Sequence, residues 1–147
     1  MTPHDETILI VDDDPTTCAL TSTVLEREGY RTRFCTNGKD ALELVATTPV
    51  SLVLLDVVMP GMDGFEVCAR LRAMEQGKRL PVILLTGRDD VDTRLEGIQS
   101  GVSEFLAKPV TRHELIARVR AQLHIVHLTR QLEHVERKLQ HPTQEIP

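Results

Sequence analysis

Aromatic residues are scarce in this 147-residue chain, which contains no Trp, one Tyr and three Phe. The interior of the fold must therefore be built from aliphatic side chains. Cysteine is also sparse, and Cys18, Cys35 and Cys68 match no metal-binding spacing, so we expect reduced thiols that pack as small core residues. No apolar run approaches the roughly 20 residues of a membrane span, and residues 1–7 show no signal-peptide pattern. These absences favour a cytoplasmic protein with no direct membrane contact.

The chain also lacks the excess of positive charge that binding to nucleic acid requires. Its formal net charge at pH 7 is −5, whereas phosphate backbones are bound by basic surfaces. The composition, with 41% hydrophobic and 27% charged residues, is that of an ordinary globular domain. The length fits one domain. We therefore expect one globular domain without a direct nucleic-acid partner.

Short apolar runs alternate with helical patterns along the chain. The runs predict five strands, at residues 8–11, 30–35, 52–55, 81–85 and 104–107. Asp14 before Pro15, Asn37, and Thr111 three residues before Glu114 are typical of helix starts. Strands that are continuously apolar are buried on both faces of a parallel sheet. Five strand–helix units thus predict a doubly wound α/β fold, in which ligands bind beyond the carboxyl ends of the strands.

Polar side chains follow four of the five predicted strands where each strand ends. They are Asp12, Asp13 and Asp14, then Asp56, then Thr86, and finally Lys108. Carboxylates held this close repel one another unless a cation lies between them, and Mg2+ prefers such hard oxygen ligands. Aspartate is also a nucleophile toward phosphorus, and an ammonium and a hydroxyl can neutralise a transferred phosphoryl group. This edge of the sheet is therefore a candidate site for phosphoryl chemistry.

Four sequence blocks at these strand ends carry a family resemblance. They are residues 8–15 (ILIVDDDP), 52–64 (LVLLDVVMPGMDG), 81–87 (PVILLTG) and 105–109 (FLAKP). Together they resemble the receiver domain of two-component response regulators, over residues 6–123. The resemblance implies a flavodoxin-like five-stranded parallel sheet with strand order 2-1-3-4-5. It also implies a phosphoacceptor domain that receives its phosphoryl group from a histidine kinase or a phosphotransfer protein and then controls an output partner or domain.

The resemblance implies a role for each residue of the site. Asp56 resembles the phosphoacceptor, and Asp12, Asp13, Asp56 and the backbone carbonyl of Val58 resemble the ligands of Mg2+ or Mn2+, with Asp12 acting through a water. Such a domain catalyses only phosphoryl transfer to, and loss from, its own aspartate, and is not otherwise an enzyme.

The remaining roles concern the response to phosphorylation. Thr86 and Lys108 resemble the hydroxyl and the ammonium that contact the phosphoryl group. Phe105 occupies the position of an aromatic switch that moves with Thr86, although one aromatic on a short strand is also expected to be plain core. The Lys108–Pro109 peptide bond is often cis in this family. Val58 and Gly87 flank the path of attacking water and depart from common relatives, which bears on how long the phosphoryl group lasts.

The predicted last helix continues past the receiver-like region. Apolar residues along it step by four and three, which is a heptad seam of under three repeats: Ala121, Ile125, Leu128, Leu132, Val135 and Leu139. We divide the chain into a receiver domain (6–123), a helical extension (124–141) and a tail (142–147). The seam predicts a coiled-coil homodimer or a signalling helix leading to an output domain; packing on its own domain is the alternative. No output domain is recognisable, so the chain is a stand-alone receiver or the N-terminal part of a longer regulator.

Two other functions fit parts of the sequence. Residues 12–16 (DDDPT) fit the nucleophile motif of haloacid-dehalogenase-like phosphatases, with Asp12 as nucleophile, Asp14 as acid/base and the Asp89-Asp90 pair as an acidic metal motif. That hypothesis gives residues 52–64 no role. The second alternative is a phosphorylation-independent dimerisation module, which leaves the intact Asp56 and Lys108 without a purpose.

Overall fold

The computed structural model of the chain describes residues 6–88 and 90–140. Five strands and five helices alternate over these residues: β1 (Thr7–Val11), α1 (Pro15–Arg27), β2 (Arg31–Cys35), α2 (Gly38–Thr47), β3 (Leu52–Asp56), α3 (Gly64–Arg72), β4 (Val82–Thr86), α4 (Val91–Ser100), β5 (Glu104–Ala107) and α5 (Arg112–Gln140). A 3-10 turn at Glu75–Gly77 separates α3 from β4. Residue 89, residue 141 of the predicted extension and the predicted tail (142–147) lie outside the described residues.

The five strands form one parallel sheet in the order β2-β1-β3-β4-β5. The flavodoxin-like fold and its strand order are thereby confirmed. Every residue of the central strand β3 is buried. The edge strand β2 is largely exposed and carries Arg31 and Arg33, charges that discourage pairing with another sheet.

Two aliphatic layers, one on each face of the sheet, make up the core. Alternate residues along a strand point to opposite faces, so Leu9 and Leu55 pack with α2 and α3. Ile10 and Leu54 pack with α1 and α5 on the other face. The prediction of an aliphatic core is confirmed, and Cys18 and Cys68 lie within it as free, buried thiols while Cys35 is half-buried.

Side-chain caps begin the helices as the sequence predicts. Asp14 accepts a hydrogen bond from the Thr16 N–H and caps α1, and Asn37 caps α2 by accepting one from the Asp40 N–H. The Thr111 hydroxyl accepts one from the Glu114 N–H at 3.1 Å. These caps satisfy backbone donors that have no partner within the first helical turn.

The packed face of α1 differs from the sequence prediction in one residue. We expect Leu20, Val24 and Leu25 on one face, but Leu20 is 66% exposed whereas Cys18 and Leu25 are fully buried. Cys18 and Leu25 are seven residues apart and share a face, whereas Leu20 is turned by roughly 200° from Cys18 at 3.6 residues per turn. The thiol of the buried Cys18 donates to the carbonyl of Asp12 at 3.3 Å.

Arg72 is the last residue of α3 and ties three further segments to it. Its guanidinium donates to the carbonyls of Gly77 and Gly101 at 2.8 Å and to that of Leu80 at 2.5 Å. One side chain therefore joins the end of α3, the 3-10 turn, the segment before β4 and the end of α4.

The last helix, α5, is 29 residues long and buries only Leu115, Val119 and Gln122. Its later turns extend beyond the sheet. No helix among the described residues is long and apolar enough to cross a membrane.

Candidate functional site

The carboxyl ends of β1 and β3 bring three carboxylates together. Asp56 is the last residue of β3, and Asp12 and Asp13 follow β1, which lies beside β3 in the sheet. One carboxylate oxygen from each residue lies within 4.8 Å of the other two. Asp12 and Asp56 are 4% and 5% exposed, whereas Asp13 is open to solvent. The structure therefore brings together the acidic residues that the sequence predicts for the site.

Lys108 adds a single positive charge to this cluster. It follows β5, and its Nζ donates to Asp56 Oδ1 at 2.9 Å. The backbone positions this residue, because the Lys108 N–H donates to the carbonyl of Thr86 at 2.8 Å. The Lys108–Pro109 peptide bond is cis. Three carboxylates facing one ammonium leave this edge of the sheet with an excess of negative charge.

The surroundings of Asp12 raise the pKa of its carboxyl above the ordinary value. Burial raises the pKa of the Asp12 carboxyl, and repulsion from the Asp56 carboxylate raises it further. A hydrogen bond from the Asp14 N–H to Asp12 Oδ1, 2.9 Å long, opposes this shift. A desolvated carboxylate among like charges is stabilised by a cation. The donor set consists of oxygen atoms, which is the set that a hard divalent cation such as Mg2+ takes.

The loop after β3 supplies a further oxygen near the cluster. It folds back because the Gly64 N–H donates to the carbonyl of Val57 at 2.9 Å. A Cβ at Gly64 would lie 2.4 Å from the carbonyl oxygen of Asp56, so this approach requires glycine. Val58 lies in this loop with a side chain that is 72% exposed, and its carbonyl accepts no hydrogen bond from the described part of the chain.

Thr86 ends β4 beside the cluster, but its hydroxyl is engaged elsewhere. The hydroxyl donates to the carbonyl of Arg88 at 2.9 Å and accepts from the Arg88 N–H at 3.0 Å. Thr86 itself is 3% exposed. The sequence reveals nothing about Arg88 here, because the contact uses its backbone and any residue type could make it.

Phe105 lies on β5 with its ring across the middle of α4. A Cβ at Gly97 would lie 2.1 Å from Phe105 Cζ, so the ring fills the space that glycine leaves. The guanidinium of Arg94 stands 5.6 Å from the ring centroid, within the range of a cation–π contact. The role of Gly97 is absent from the sequence prediction, although a glycine inside a helix signals a packing requirement.

Asp14 is occupied by the start of α1. Its Oδ1 accepts from the Thr16 N–H at 3.0 Å, and its Oδ2 accepts from the Thr17 hydroxyl at 2.9 Å. A carboxylate with both oxygens engaged in capping is poorly suited to be the acid/base of a phosphatase. The acidic pair of the phosphatase hypothesis includes Asp89, which lies outside the described residues, and Asp90, which caps α4.

The family model of the response regulator receiver domain matches residues 8–120. The chain therefore belongs to the response regulator receiver domain family of two-component systems, which does not favour the phosphatase hypothesis. Among curated relatives, the response regulator MprA of Mycolicibacterium vanbaalenii is 41% identical over 116 residues, covering 79% of this chain and 49% of the relative. The transcriptional regulatory protein AfsQ1 of Streptomyces coelicolor is 44% identical over 117 residues, covering 79% and 50%. The chain thus spans about half the length of the curated relatives it matches.

Solved structures give the same fold. The chemotaxis protein CheY4 of Vibrio cholerae is 28% identical, with a TM-score of 0.76 and coverage of 79% of this chain and 97% of that one. The receiver domain of the sensor histidine kinase PA1611 from Pseudomonas aeruginosa is 29% identical, with a TM-score of 0.75 and coverage of 81% and 98%. That structure has a magnesium ion coordinated in the active-site cleft.

Proposed function

We propose that Asp56 accepts a phosphoryl group from the phosphohistidine of a histidine kinase or phosphotransfer protein. The observation that carries the proposal is the placement of Asp56 at the end of a fully buried strand, with Lys108 Nζ at 2.9 Å and two further carboxylates beside it. An aspartate held in this way is fixed in position for attack on phosphorus, and its ammonium neighbour balances developing charge.

Asp12, Asp13, Asp56 and the carbonyl of Val58 are the residues that would hold Mg2+ or Mn2+. Their oxygen atoms and the excess of negative charge fit a hard divalent cation. When bound, the cation supplies neutralisation of charge between the carboxylates and the phosphoryl oxygens. Removal of the cation should therefore abolish phosphorylation without unfolding the domain.

The transfer itself requires only Asp56 as a reacting group. An Asp56 oxygen forms a bond to phosphorus, the bond between phosphorus and the donor imidazole nitrogen breaks, and the electron pair leaves with the imidazole. Lys108 gives up its contact with Asp56 Oδ1 and pairs with the phosphoryl oxygens. Loss of the group by attack of water restores the carboxylate, so the domain catalyses these steps on itself alone.

Thr86 and Phe105 provide the response to phosphorylation. The Thr86 hydroxyl is tied to the backbone of Arg88, and a phosphoryl group on Asp56 offers it a charged acceptor instead. Movement of Thr86 opens space beside β5, and the Phe105 ring leaves its seat on Gly97. The phosphoryl group thereby shifts an equilibrium between two arrangements of α4 and β5, which an output partner or domain distinguishes.

The proposed role in a two-component system also suggests what the two parts of the chain do and where the protein acts. We take residues 6–123 as the receiver unit and residues 124–141 as an extension that carries the signal onward. We propose that the phosphoryl group is received in the cytoplasm, from a histidine kinase or a phosphotransfer protein. The intact site argues against a module that works without phosphorylation.

Phosphorylation by acetyl phosphate tests the proposal. Intact mass is recorded for the wild type, Asp56→Ala, Asp12→Ala and the exposed control Asp92→Asn, each with Mg2+ and with excess EDTA. The proposal expects one added phosphoryl group on the wild type and the control, only with Mg2+, none on Asp56→Ala and little on Asp12→Ala. Mg2+-dependent labelling that persists in Asp56→Ala would show that another residue is the acceptor.

A further inference from the structure

The strand β5 lies between two helices and contacts each of them through one of two adjacent residues. Neighbouring side chains on a strand point to opposite faces of the sheet. Phe105 faces α4, where its ring fills the space left by Gly97. Glu104 faces α5, where its carboxylate contacts Arg118 and Gln122. A displacement of β5 therefore changes the contacts of both helices.

Both oxygens of the Glu104 carboxylate contact α5. Oε1 lies 3.3 Å from Arg118 Nη1, and Oε2 accepts a hydrogen bond of 3.1 Å from Gln122 Nε2. Arg118 and Gln122 are four residues apart, so they lie on the same face of the helix, about one turn from each other. We call these three residues the Glu104 clamp. One carboxylate on β5 thus fixes the position of a full turn of α5.

The hydrogen bond between Gln122 and Glu104 makes the main contribution to the Glu104 clamp. Gln122 is 9% exposed, and the side chain of Glu104 is 24% exposed, whereas that of Arg118 is 50% exposed. Exposed ion pairs contribute little, but a buried group that loses its hydrogen-bond partner destabilises the arrangement. The clamp therefore favours the one placement of β5 against α5 in which the amide of Gln122 reaches its acceptor.

Two further ion pairs of α5 lead to other parts of the domain. Arg120 pairs with Glu28 at the end of α1, and Glu133 pairs with Arg79 ahead of β4. Among the polar contacts of residues 6–88 and 90–140, the Glu104 clamp is the one that joins α5 to β5. A change in β5 therefore acts on the polar anchoring of α5 through this clamp.

The two sides of the Glu104 clamp differ in how firmly they are held. The strand β5 has four residues and lies at the edge of the sheet, where it pairs with β4. The helix α5 is anchored by the buried Leu115 and Val119, which belong to the core on that face of the sheet. A shift of β5 is therefore not followed fully by α5, and the contacts between them lengthen.

We propose that the Glu104 clamp holds β5 and α5 in the arrangement of the unphosphorylated domain and opens when the Phe105 ring leaves Gly97. The inference rests on the function proposed for Asp56. A hydrogen bond is lost at a donor–acceptor distance of about 3.6 Å, so a shift of about 0.5 Å opens the 3.1 Å bond from Gln122. Glu104 is thus a positioning residue that opposes the phosphorylated arrangement. Because coupling between two sites is reciprocal, loss of the clamp must favour a phosphoryl mimic at the distant site.

Binding of beryllofluoride, a stable mimic of the phosphoryl group, measures this coupling. The full chain is titrated with beryllofluoride in the presence of Mg2+, and the bound fraction is read by fluorine nuclear magnetic resonance. Glu104→Ala should bind about 5-fold tighter than the wild type, the factor that corresponds to one net hydrogen bond. Glu104→Gln, which keeps an acceptor for Gln122, should lie between the two. The control Arg79→Ala removes an ion pair of α5 that does not involve β5 and should bind like the wild type.

The variants separate this inference from the function on which it rests. A residue with a purely structural role would weaken binding or leave it unchanged, so equal or weaker binding by a folded Glu104→Ala overturns the clamp alone. Far-UV circular dichroism verifies that each variant is folded. If the wild type does not bind beryllofluoride, or if Asp56→Ala binds it equally well, the function proposed for Asp56 fails and the clamp fails with it.

Amide hydrogen exchange tests the opening of the Glu104 clamp directly. In the wild type, beryllofluoride with Mg2+ should raise the exchange of amides in residues 115–122, because this turn of α5 loses its contact with β5. Glu104→Ala should show the raised exchange without beryllofluoride and change little when it binds. Unchanged exchange in a wild type saturated with beryllofluoride would contradict a clamp that opens.

Discussion

The packing of the Phe105 ring against Gly97 of α4 can be tested quantitatively. In Gly97→Ala the new Cβ would lie 2.1 Å from Phe105 Cζ and 2.6 Å from Cε1. Ordinary carbon contacts are about 3.5–4.0 Å long, so the ring must move by about 1.5 Å or more. Overpacking of this kind costs about 1–3 kcal/mol. Replacing glycine by alanine inside a helix contributes about 1 kcal/mol of stability in the opposite direction.

A double-mutant cycle separates these two effects. In the wild-type background, the opposing terms should leave Gly97→Ala between neutral and about 2 kcal/mol less stable. In a Phe105→Ala background the clash is gone, so the same substitution should stabilise by about 1 kcal/mol. The coupling between the two positions is therefore about 1–3 kcal/mol.

Urea unfolding followed by far-UV circular dichroism measures all four variants, since the chain has no Trp to serve as a fluorescent probe. Equal slopes against urea would show that the compactness of the unfolded state is unchanged. If Gly97→Ala stabilised both backgrounds equally, the ring would not occupy this seat. The reasoning about Phe105 as a switch held on α4 would then be refuted.

Three further predictions concern the rest of the site and its support. Burial raises the pKa of the Asp12 carboxyl in the folded protein above its ordinary value. Ionisation of Asp12 therefore destabilises the fold, and the effect grows as pH rises from the ordinary pKa through the raised one. In thermal scans at several pH values, Asp12→Asn should raise Tm at neutral pH but not at a pH below the ordinary pKa. Gly64→Ala should destabilise by about 1–3 kcal/mol in urea unfolding and reduce the Mg2+-dependent rise in Tm, because its Cβ would lie 2.4 Å from backbone that cannot yield. Arg72→Lys should cost about 2–3 kcal/mol in the same assay, because the donors of an ammonium all lie on one nitrogen and cannot span the carbonyls that Arg72 reaches through Nε and Nη1. The exposed control Arg70→Lys should change stability by under about 0.5 kcal/mol.

The sequence predicts the sheet and the acidic cluster because both follow from patterns local to one strand. A buried parallel strand is continuously apolar, and the first polar residue after it must lie at the edge of the sheet, as Asp56 and Thr86 do. Helix starts are equally local, since Asp14 and Asn37 cap within three residues of themselves.

Features that depend on distant segments are not predictable in this way. Arg72 reaches carbonyls up to 29 residues away, and nothing in its neighbourhood distinguishes it from the exposed Arg70. Leu20 is apolar but points to solvent because the helix orientation is set by Cys18 and Leu25. The engagement of Thr86 with the backbone of Arg88 has no side-chain signature at all.

Because α5 is one continuous helix, a small tilt where it packs on the domain moves its far end by a larger distance. The helix is uninterrupted from Arg112 to Gln140, and its last buried residue is Gln122. At 1.5 Å per residue, the stretch of α5 beyond Gln122 is about 27 Å long, and the exposed ion pair between Glu133 and Arg79 must break or move with it when the helix tilts. A tilt of about 5° at Gln122 moves the end of the helix by about 2.4 Å. Repacking of a few side chains is enough to produce a tilt of this size. Sub-ångström changes beside β5 are therefore magnified severalfold at the far end of the helix without any change in the helix itself.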